Sequence, residues 1–331
     1  MKKNSTELSN SKKKRKKKYI LILKSFLIFL LYVLNQHKML KKLKSRICIC
    51  TIAKEENKYI REWVQHYEKY GLDKIYLYDN NDINGEHFES VINDYIKREY
   101  VQIFNWRGKT KFIYKVMNEC YKLNHESYDW LIFYELDEFI HLSNFKNIKD
   151  FLSQKKFDKC KIIYLNLLVH DDNNQLYYEN ISLFKRFPKI VPQSIDNSLQ
   201  VKMIIKGGIN DLIIQTTAKS YISKKQENLT TCNGFGNFMT PKGFFTSIKD
   251  YKFYYVDHFF CKSTEEFINK LKRGDTLQTG KALDNYKLHR IKRYFRYNEF
   301  TQEKANMMEK VLKINSSIIM KLAKKSNLLF V

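Results

Sequence analysis

Residues 130–142 read WLIFYELDEFIHL, and this stretch decides the fold. Its first five residues form an unbroken apolar and aromatic run, as expected of a central strand covered on both faces. It runs straight into the acids Glu135, Asp137 and Glu138. Upstream, strand-like and helix-like segments alternate. Arg46–Ile52 and Lys74–Tyr78 read as strands. Between them Asn57–Tyr70 places Tyr59, Ile60, Trp63, Val64, Tyr67 and Tyr70 on one helix face, with Asn57 as N-cap and Gly71 past the end. Turn residues fill Asp79–Gly85. A helix over Glu86–Lys97, a strand over Tyr100–Phe104 and a helix over Lys111–Leu123 follow. This rhythm predicts an α/β fold with an open, mostly parallel sheet flanked by helices.

Downstream the rhythm changes. Lys161–Val169, Val201–Lys206, Asp211–Gln215 and Lys252–Val256 are strand-like with no regular helices between them, so the sheet becomes mixed. From Ser263 the chain turns helical, over Thr264–Arg273, Asp284–Tyr297 and Gln302 to about Lys324. The expected organisation is a catalytic domain over residues 45–262 and a helical extension over 263–331. Residues 1–18 make a basic disordered tail, and residues 19–38 an apolar membrane-associating segment or a start placed ahead of the true one at Met39.

The 331 residues are 44% hydrophobic and 15% aromatic, with only 3 Pro and 10 Gly, which excludes disordered, collagenous and Pro-rich classes. The net charge of +25 is uneven. Residues 1–46 hold 15 Lys/Arg against the single acid Glu7, an excess of 14, leaving 11 for the rest. The apolar run over residues 19–34 contains Lys24 and falls short of the roughly 20 residues a spanning helix needs. Lys and Arg flank it on both sides, which suits an anchor lying at an anionic membrane surface. The six cysteines form no C-x-x-C pair; Cys48 and Cys50 alternate with Ile47 and Ile49 and read as buried free thiols in a reducing compartment.

Ligands of open parallel sheets bind beyond the carboxyl ends of the strands. Three such ends are polar here: Thr51 to Glu56, Asp79 to Asp82, and Glu135 to Glu138. Because a strand alternates sides, Glu135 and Asp137 are expected to point the same way. Two like charges at one strand tip repel, and a hard divalent cation with oxygen ligands relieves that repulsion. Neither G-x-x-x-x-G-K-[ST] nor G-x-G-x-x-G occurs, which disfavours P-loop kinases and dinucleotide dehydrogenases.

The segment ICICTIAKEENKYIREWVQHYEKYGLDKIYLYDNN (47–81), then WLIFYELDEFIHL, then VDHFFCKSTEEFINKLKRG (256–274) resemble, in order and spacing, glycosyltransferase family 92 and its bacterial family-2-like relatives. Lys54-Glu55-Glu56 stands at the family's Lys-Asn-Glu. Glu62-Trp63, His66 and Gly71 match its Glu-Trp…His…Gly, and Asp79 to Asp82 its Asp-Asn loop. Glu135-Leu136-Asp137-Glu138-Phe139 matches its Asp-x-Asp-Glu-Phe with Glu135 at the first Asp. His258, Lys262-Ser263, Glu266-Phe267 and Gly274 match its late block.

The resemblance implies a GT-A fold and a metal-dependent inverting transferase, moving a sugar from a nucleotide-sugar donor to a glycan or lipid-linked glycan of the cell-surface polysaccharide type. It implies Mn²⁺ or Mg²⁺ on Glu135, Asp137 and His258. Donor contacts are expected from Thr51, Lys54, Glu55, Asp79, Asn80 and Lys262. The base that removes the acceptor proton is sought among Asp171, Asp172 and Asp257, with Asp172 and Asp257 carried forward. Such an enzyme is expected at a membrane, its catalytic domain cytoplasmic in a bacterium and lumenal in a Golgi. Two rival classes are a catalytically silent, membrane-tethered binding homologue and a basic nucleic-acid binder. The concentration of charge in the first 46 residues weighs against the latter.

Overall fold

The computed structural model describes residues 23–36, 45–109, 113–192, 200–215, 220–223, 229–239, 253–274 and 281–327. The chain divides into two units, residues 1–45 and residues 46–331. In the first unit, residues 23–36 form helix α1, whose apolar side chains are exposed along its length. No described helix is long and apolar enough to cross a membrane. The expected tail over residues 1–18 lies outside the described residues.

The second unit begins with β1 (Ile47–Ala53), α2 (Asn57–Lys69), β2 (Lys74–Asp79), α3 (Glu89–Lys97), β3 (Val101–Asn105), α4 (Ile113–Asn124) and β4 (Trp130–Ile132). It continues through β5 (Glu138–Leu142), α5 (Ile148–Leu152), β6 (Ile162–Val169), α6 (Leu183–Arg186) and β7 (Val201–Lys206). A separate hairpin, β8 (Leu212–Gln215) with β9 (Ser220–Ser223), precedes β10 (Thr231–Asn233), β11 (Phe238–Met239) and β12 (Tyr254–His258). Four helices close the chain: α7 (Thr264–Arg273), α8 (Lys281–Tyr297), α9 (Gln302–Leu312) and α10 (Ser316–Asn327).

The N-terminal half of the sheet is parallel, in the order β3-β2-β1-β4. Antiparallel β7 joins β4 to β6, and β6 then pairs in parallel with both β10 and β12. β5 and β11 add antiparallel edges. The result is the α/β sheet expected from the rhythm, parallel where helices alternate and mixed where they stop. Two-sided burial is visible in single strands. Ile47 and Ile49 enter one apolar cluster while Cys48 and Cys50 enter the other; Trp130 and Ile132 part from Leu131 and Phe133 in the same way. A third cluster joins Phe260, Phe267 and Leu271 to Ile291, Tyr294, Met308 and Ile319, so α7–α10 pack onto the body.

Several expectations are corrected. β4 stops at Ile132, and Glu135–Glu138 is a tight turn closed by the Glu138 N–H donating to the Glu135 carbonyl at 3.0 Å. Strand alternation therefore does not govern Glu135 and Asp137. Asn57 is the first residue of α2 with Glu56 before it, and no side chain caps that end. The last predicted helix is two, broken at Lys313, whose φ of 58° is left-handed. Cys50–Cys120 and Cys160–Cys232 are disulfides, and only Cys48 and Cys261 are free. The thiols lay far apart in sequence, on β1, α4, β10 and the loop before β6, whose pairing no local pattern reveals.

Candidate active site

The register of β5 and β12 assembles the site. His258 lies directly across from Glu138, with Asp137 one residue before it in the turn. Cross-strand partners face the same way. Asp137, Glu138 and His258 are all buried, and one ligand atom of each lies within 4.8 Å of the others. Helix α2 fixes this edge from behind. The Trp63 indole N–H and the Tyr67 hydroxyl both donate to the Glu138 carbonyl at 2.9 Å, and Tyr67 accepts from the Ile140 N–H at 3.2 Å. His66 Nε2 lies 2.9 Å from the Ile140 carbonyl. Glu62 accepts from the Ser182 hydroxyl at 2.6 Å, tying down the start of α6. In the Glu-Trp…His pattern, Trp63 and His66 thus brace β5 and Glu62 braces the start of α6.

Charge around the cluster is dense and paired. Lys270 donates to Asp137 Oδ2 at 2.6 Å, and His258 Nε2 lies 3.8 Å from the same oxygen. Asp137 Oδ1 and His258 Nδ1 are buried with no hydrogen-bond partner. Burial works to raise the Asp137 carboxyl, but the ammonium groups of Lys270 and Lys262 hold it well below the usual carboxylate range. Burial, helped by Arg293 and Lys270 and opposed by Asp137, pushes His258 well down, so its imidazole is neutral. Glu138 is raised to about 7, first by burial and then by Glu135 and Asp137, against the pull of Lys202. Lys202 is wholly buried between Glu135 Oε1 at 3.0 Å and Glu138 Oε2 at 2.9 Å.

A cavity of about 520 Å³ opens beside this cluster, between the β1–α2 loop, the β2–α3 loop and α7. Lys54, Glu55, Glu56, Lys262, Lys270 and Arg273 line it. Buried Glu56 holds two of these cations, Lys262 at 3.1 Å and Arg273 at 2.8 Å. Lys262 also lies 3.3 Å above the Tyr59 ring, and burial holds its ammonium below the ordinary lysine range despite Glu56 and Asp137. Glu55 and Lys262 both have left-handed backbone, φ 53° and 52°. Neither is Gly or Asn, and such conformations cost about 1–3 kcal/mol and concentrate at functional sites. α7 is secured by a capping box between Ser263 and Glu266, and Glu266 also binds Tyr59 and the buried Arg186.

The structure brings Asp137, His258, Lys54, Glu55 and Lys262 to one place. It places the other expected residues differently. Glu135 is 39% exposed and reaches Lys202; the third member of the cluster is Glu138, not Glu135. Asp79 is buried on Arg107 at 2.6 Å and accepts from the Asn81 N–H, and the Asn80 N–H donates to the Ala53 carbonyl. Both shape the loop beside the cavity without lining it. Thr51 is buried with a hydroxyl that has no partner. Asp172 pairs with Lys304 at 2.7 Å and accepts from the Tyr294 hydroxyl. Asp257 faces away from His258, as β12 alternates, and pairs with His170 at 2.7 Å. Neither Asp172 nor Asp257 borders the cavity. Sequence reasoning missed Glu138, Lys202, Lys270 and Arg107. For Lys202 a signal existed: a lysine inside the apolar run VKMIIK (201–206) needs a buried partner.

The cluster can do two things chemically. Two carboxylates and a neutral imidazole are a donor set suited to Mn²⁺, Mg²⁺ or a similar cation. The adjoining lysines and arginine suit a diphosphate.

Residues 44–208 match the family model described as Glycosyltransferase family 92. A glycosyltransferase family 92 protein of Oryza sativa subsp. japonica is 26% identical over 113 residues, covering 32% of this chain and 18% of that protein. A second, from Ricinus communis, is 24% identical over 132 residues, covering 38% and 22%. The chain thus matches about a fifth of the length of these relatives. Among solved structures, S. aureus TarS 1–349 in complex with UDP-GlcNAc aligns over 81% of this chain and 71% of its own, with 11% identity and a TM-score of 0.35.

Proposed function

The chain belongs to glycosyltransferase family 92 through residues 44–208, and on that premise we propose that it is a metal-dependent, inverting glycosyltransferase using a nucleotide-sugar donor. The observation that carries this reading is the convergence of Asp137 Oδ1 and His258 Nδ1, buried and unpartnered, beside Glu138 and the 520 Å³ cavity. Buried polar atoms without partners cost free energy unless a ligand satisfies them. The residues present fit a divalent cation: Asp137 is ionised, His258 is neutral, and both offer a lone pair with no other claimant. Asp137, Glu138 and His258 would hold it. When bound, such a cation offsets charge on a leaving nucleoside diphosphate.

The chain's own residues supply the rest of the reading. Lys262, Lys270 and Arg273 present fixed cations to the diphosphate. Glu56 holds Lys262 and Arg273 in place, and the β2 turn, through Asn81 on the Glu55 N–H at 2.7 Å, holds the β1–α2 loop. The acceptor is a glycan or lipid-linked glycan, and the basic, apolar N-terminal segment brings the enzyme to an anionic membrane surface.

A panel of nucleotide sugars, screened for Mn²⁺-dependent nucleotide release, tests the reading. Asp137→Ala should reduce release at least about 100-fold and remove the metal dependence, with an unchanged circular dichroism spectrum. Full activity in that variant, with EDTA without effect, overturns the metal assignment. A second reading, a catalytically silent binding homologue, draws on Lys270 and Lys202, each of which already occupies an oxygen of Asp137 or Glu138. Nucleotide binding without release under every metal condition decides for it.

A further inference from the structure

Helix α8 presents a second charged cavity that the reading above does not use. Its volume is about 190 Å³, and Gln200, His289, Lys292, Arg293 and Arg296 line it. The spacing 289, 292, 293, 296 places three cations and His289 on one helix face, while Ile291, Tyr294 and Phe295 on the opposite side enter the core. No carboxylate lines the cavity among the described residues. Arg296 Nε is buried with no hydrogen-bond partner. Burial, followed by Arg290, Arg293, Arg296 and Lys292, pushes His289 below its ordinary value, as expected of concentrated positive potential.

The cavity adjoins the proposed reaction centre. The Arg293 and Arg290 guanidinium groups lie 4.5 and 4.8 Å from the centre of the Phe260 ring, and Lys270, which holds Asp137, lies 5.2 Å from the same ring. Phe260 lines the larger cavity. The Phe260 ring thus touches cations of both charged spaces, Arg293 of the smaller and Lys270 of the larger.

We propose that the His289–Lys292–Arg293–Arg296 face is a phosphate-binding site that seats a phosphate of the acceptor, a statement that rests on the glycosyltransferase reading for the acceptor's identity but not for the site itself. Several like charges on one face repel, and an anion relieves them. A carboxylate is satisfied by one arginine fork, whereas a phosphate offers more oxygens and uses several converging donors. The small volume suits a single phosphate group, not an extended nucleic-acid strand.

The test uses the full chain. Phenylglyoxal labelling of arginines, mapped by peptide mass spectrometry, should show inorganic phosphate slowing modification of Arg296 at least about five-fold, with Arg273 reporting the larger cavity separately. Calorimetric titration should show phosphate binding at least about ten-fold weaker in Lys292→Ala/Arg296→Ala. Should that variant fold poorly, Lys292→Arg/Arg296→Lys should retain binding, and protection in the unmodified chain carries the test alone. Phosphatidylglycerol vesicles that protect Arg296 where phosphatidylcholine vesicles do not would identify a lipid phosphate; protection by soluble phosphate alone would identify a soluble phosphorylated acceptor. Equal labelling of Arg296 with and without every one of these probes overturns the proposal. Protection of Arg296 in a chain that releases no nucleotide leaves the site standing and removes the glycosyltransferase reading.

Discussion

At the scale of single residues, the decisive groups are those whose charge state the fold imposes. His66 is held at about 4, because burial outweighs its contact with the Ile140 carbonyl. Its folded value lies below the ordinary 6.5, so the unfolded chain binds the proton first on acidification. The neutral imidazole therefore favours the fold above about pH 6.5, and that contribution disappears as the pH falls towards 4. The loss is at most about 3 kcal/mol. His66→Gln should flatten this part of the stability profile relative to the unmodified chain, measured by urea unfolding at pH 7, 5.5 and 4. Parallel profiles would show that His66 does not titrate in this way. Glu138 works in the opposite direction, since its folded value is raised to about 7; comparing the variant with the unmodified chain cancels that contribution. Asp137 drew notice through the acids that follow the apolar run 130–134, and His258 only through its place in the late block of the family resemblance. The alternation that paired Glu135 with Asp137 failed because the ending of β4 at Ile132 depends on tertiary pairing with β7 and β1, which leaves no local mark.

At the scale of elements, α7 carries two cations of the site, Lys270 and Arg273, and is fastened at one end. Ser263 accepts from the Glu266 N–H, and the Glu266 carboxylate answers the Ser263 N–H at 3.1 Å. Ser263→Ala should cost about 1 kcal/mol of stability. Glu266→Ala should cost more, about 3–5 kcal/mol, because it strands the buried Arg186. Urea midpoints of the two variants check the order, and equal losses would contradict it. The 3.6-residue spacing made α2 and α7 readable to within a residue. The break between α9 and α10 was not readable, since Lys313 carries no side-chain feature that announces a left-handed residue.

At the scale of the whole molecule, residues 46–331 form one compact unit, and the helical C-terminal part is built into it through Phe260 and Phe267. Deleting residues 1–45 should therefore leave the thermal midpoint of the remainder within about 2 °C while reducing retention on anionic vesicles. A large fall in midpoint would contradict the division. The disulfides span 70 and 72 residues of sequence. Closing loops of that length contributes up to about 4 kcal/mol each, so dithiothreitol should lower the midpoint clearly. An unchanged midpoint on reduction would show that these cysteines do not cross-link the folded chain. The charge asymmetry, by contrast, was fully visible beforehand, because it needs only counting.

β12 is a two-sided component. Its last two side chains serve opposite faces: His258 belongs with Asp137 and Glu138, and Asp257 belongs with His170. Adding or removing one residue within this strand would exchange front and back at a stroke. A carboxylate would enter the cluster of carboxylates, and the imidazole would be delivered to another imidazole. The strand can thus accept point substitutions at Tyr254 or Val256 far more readily than any change of length, and a scan of single-codon insertions should find residues 254–258 among the least forgiving in the chain.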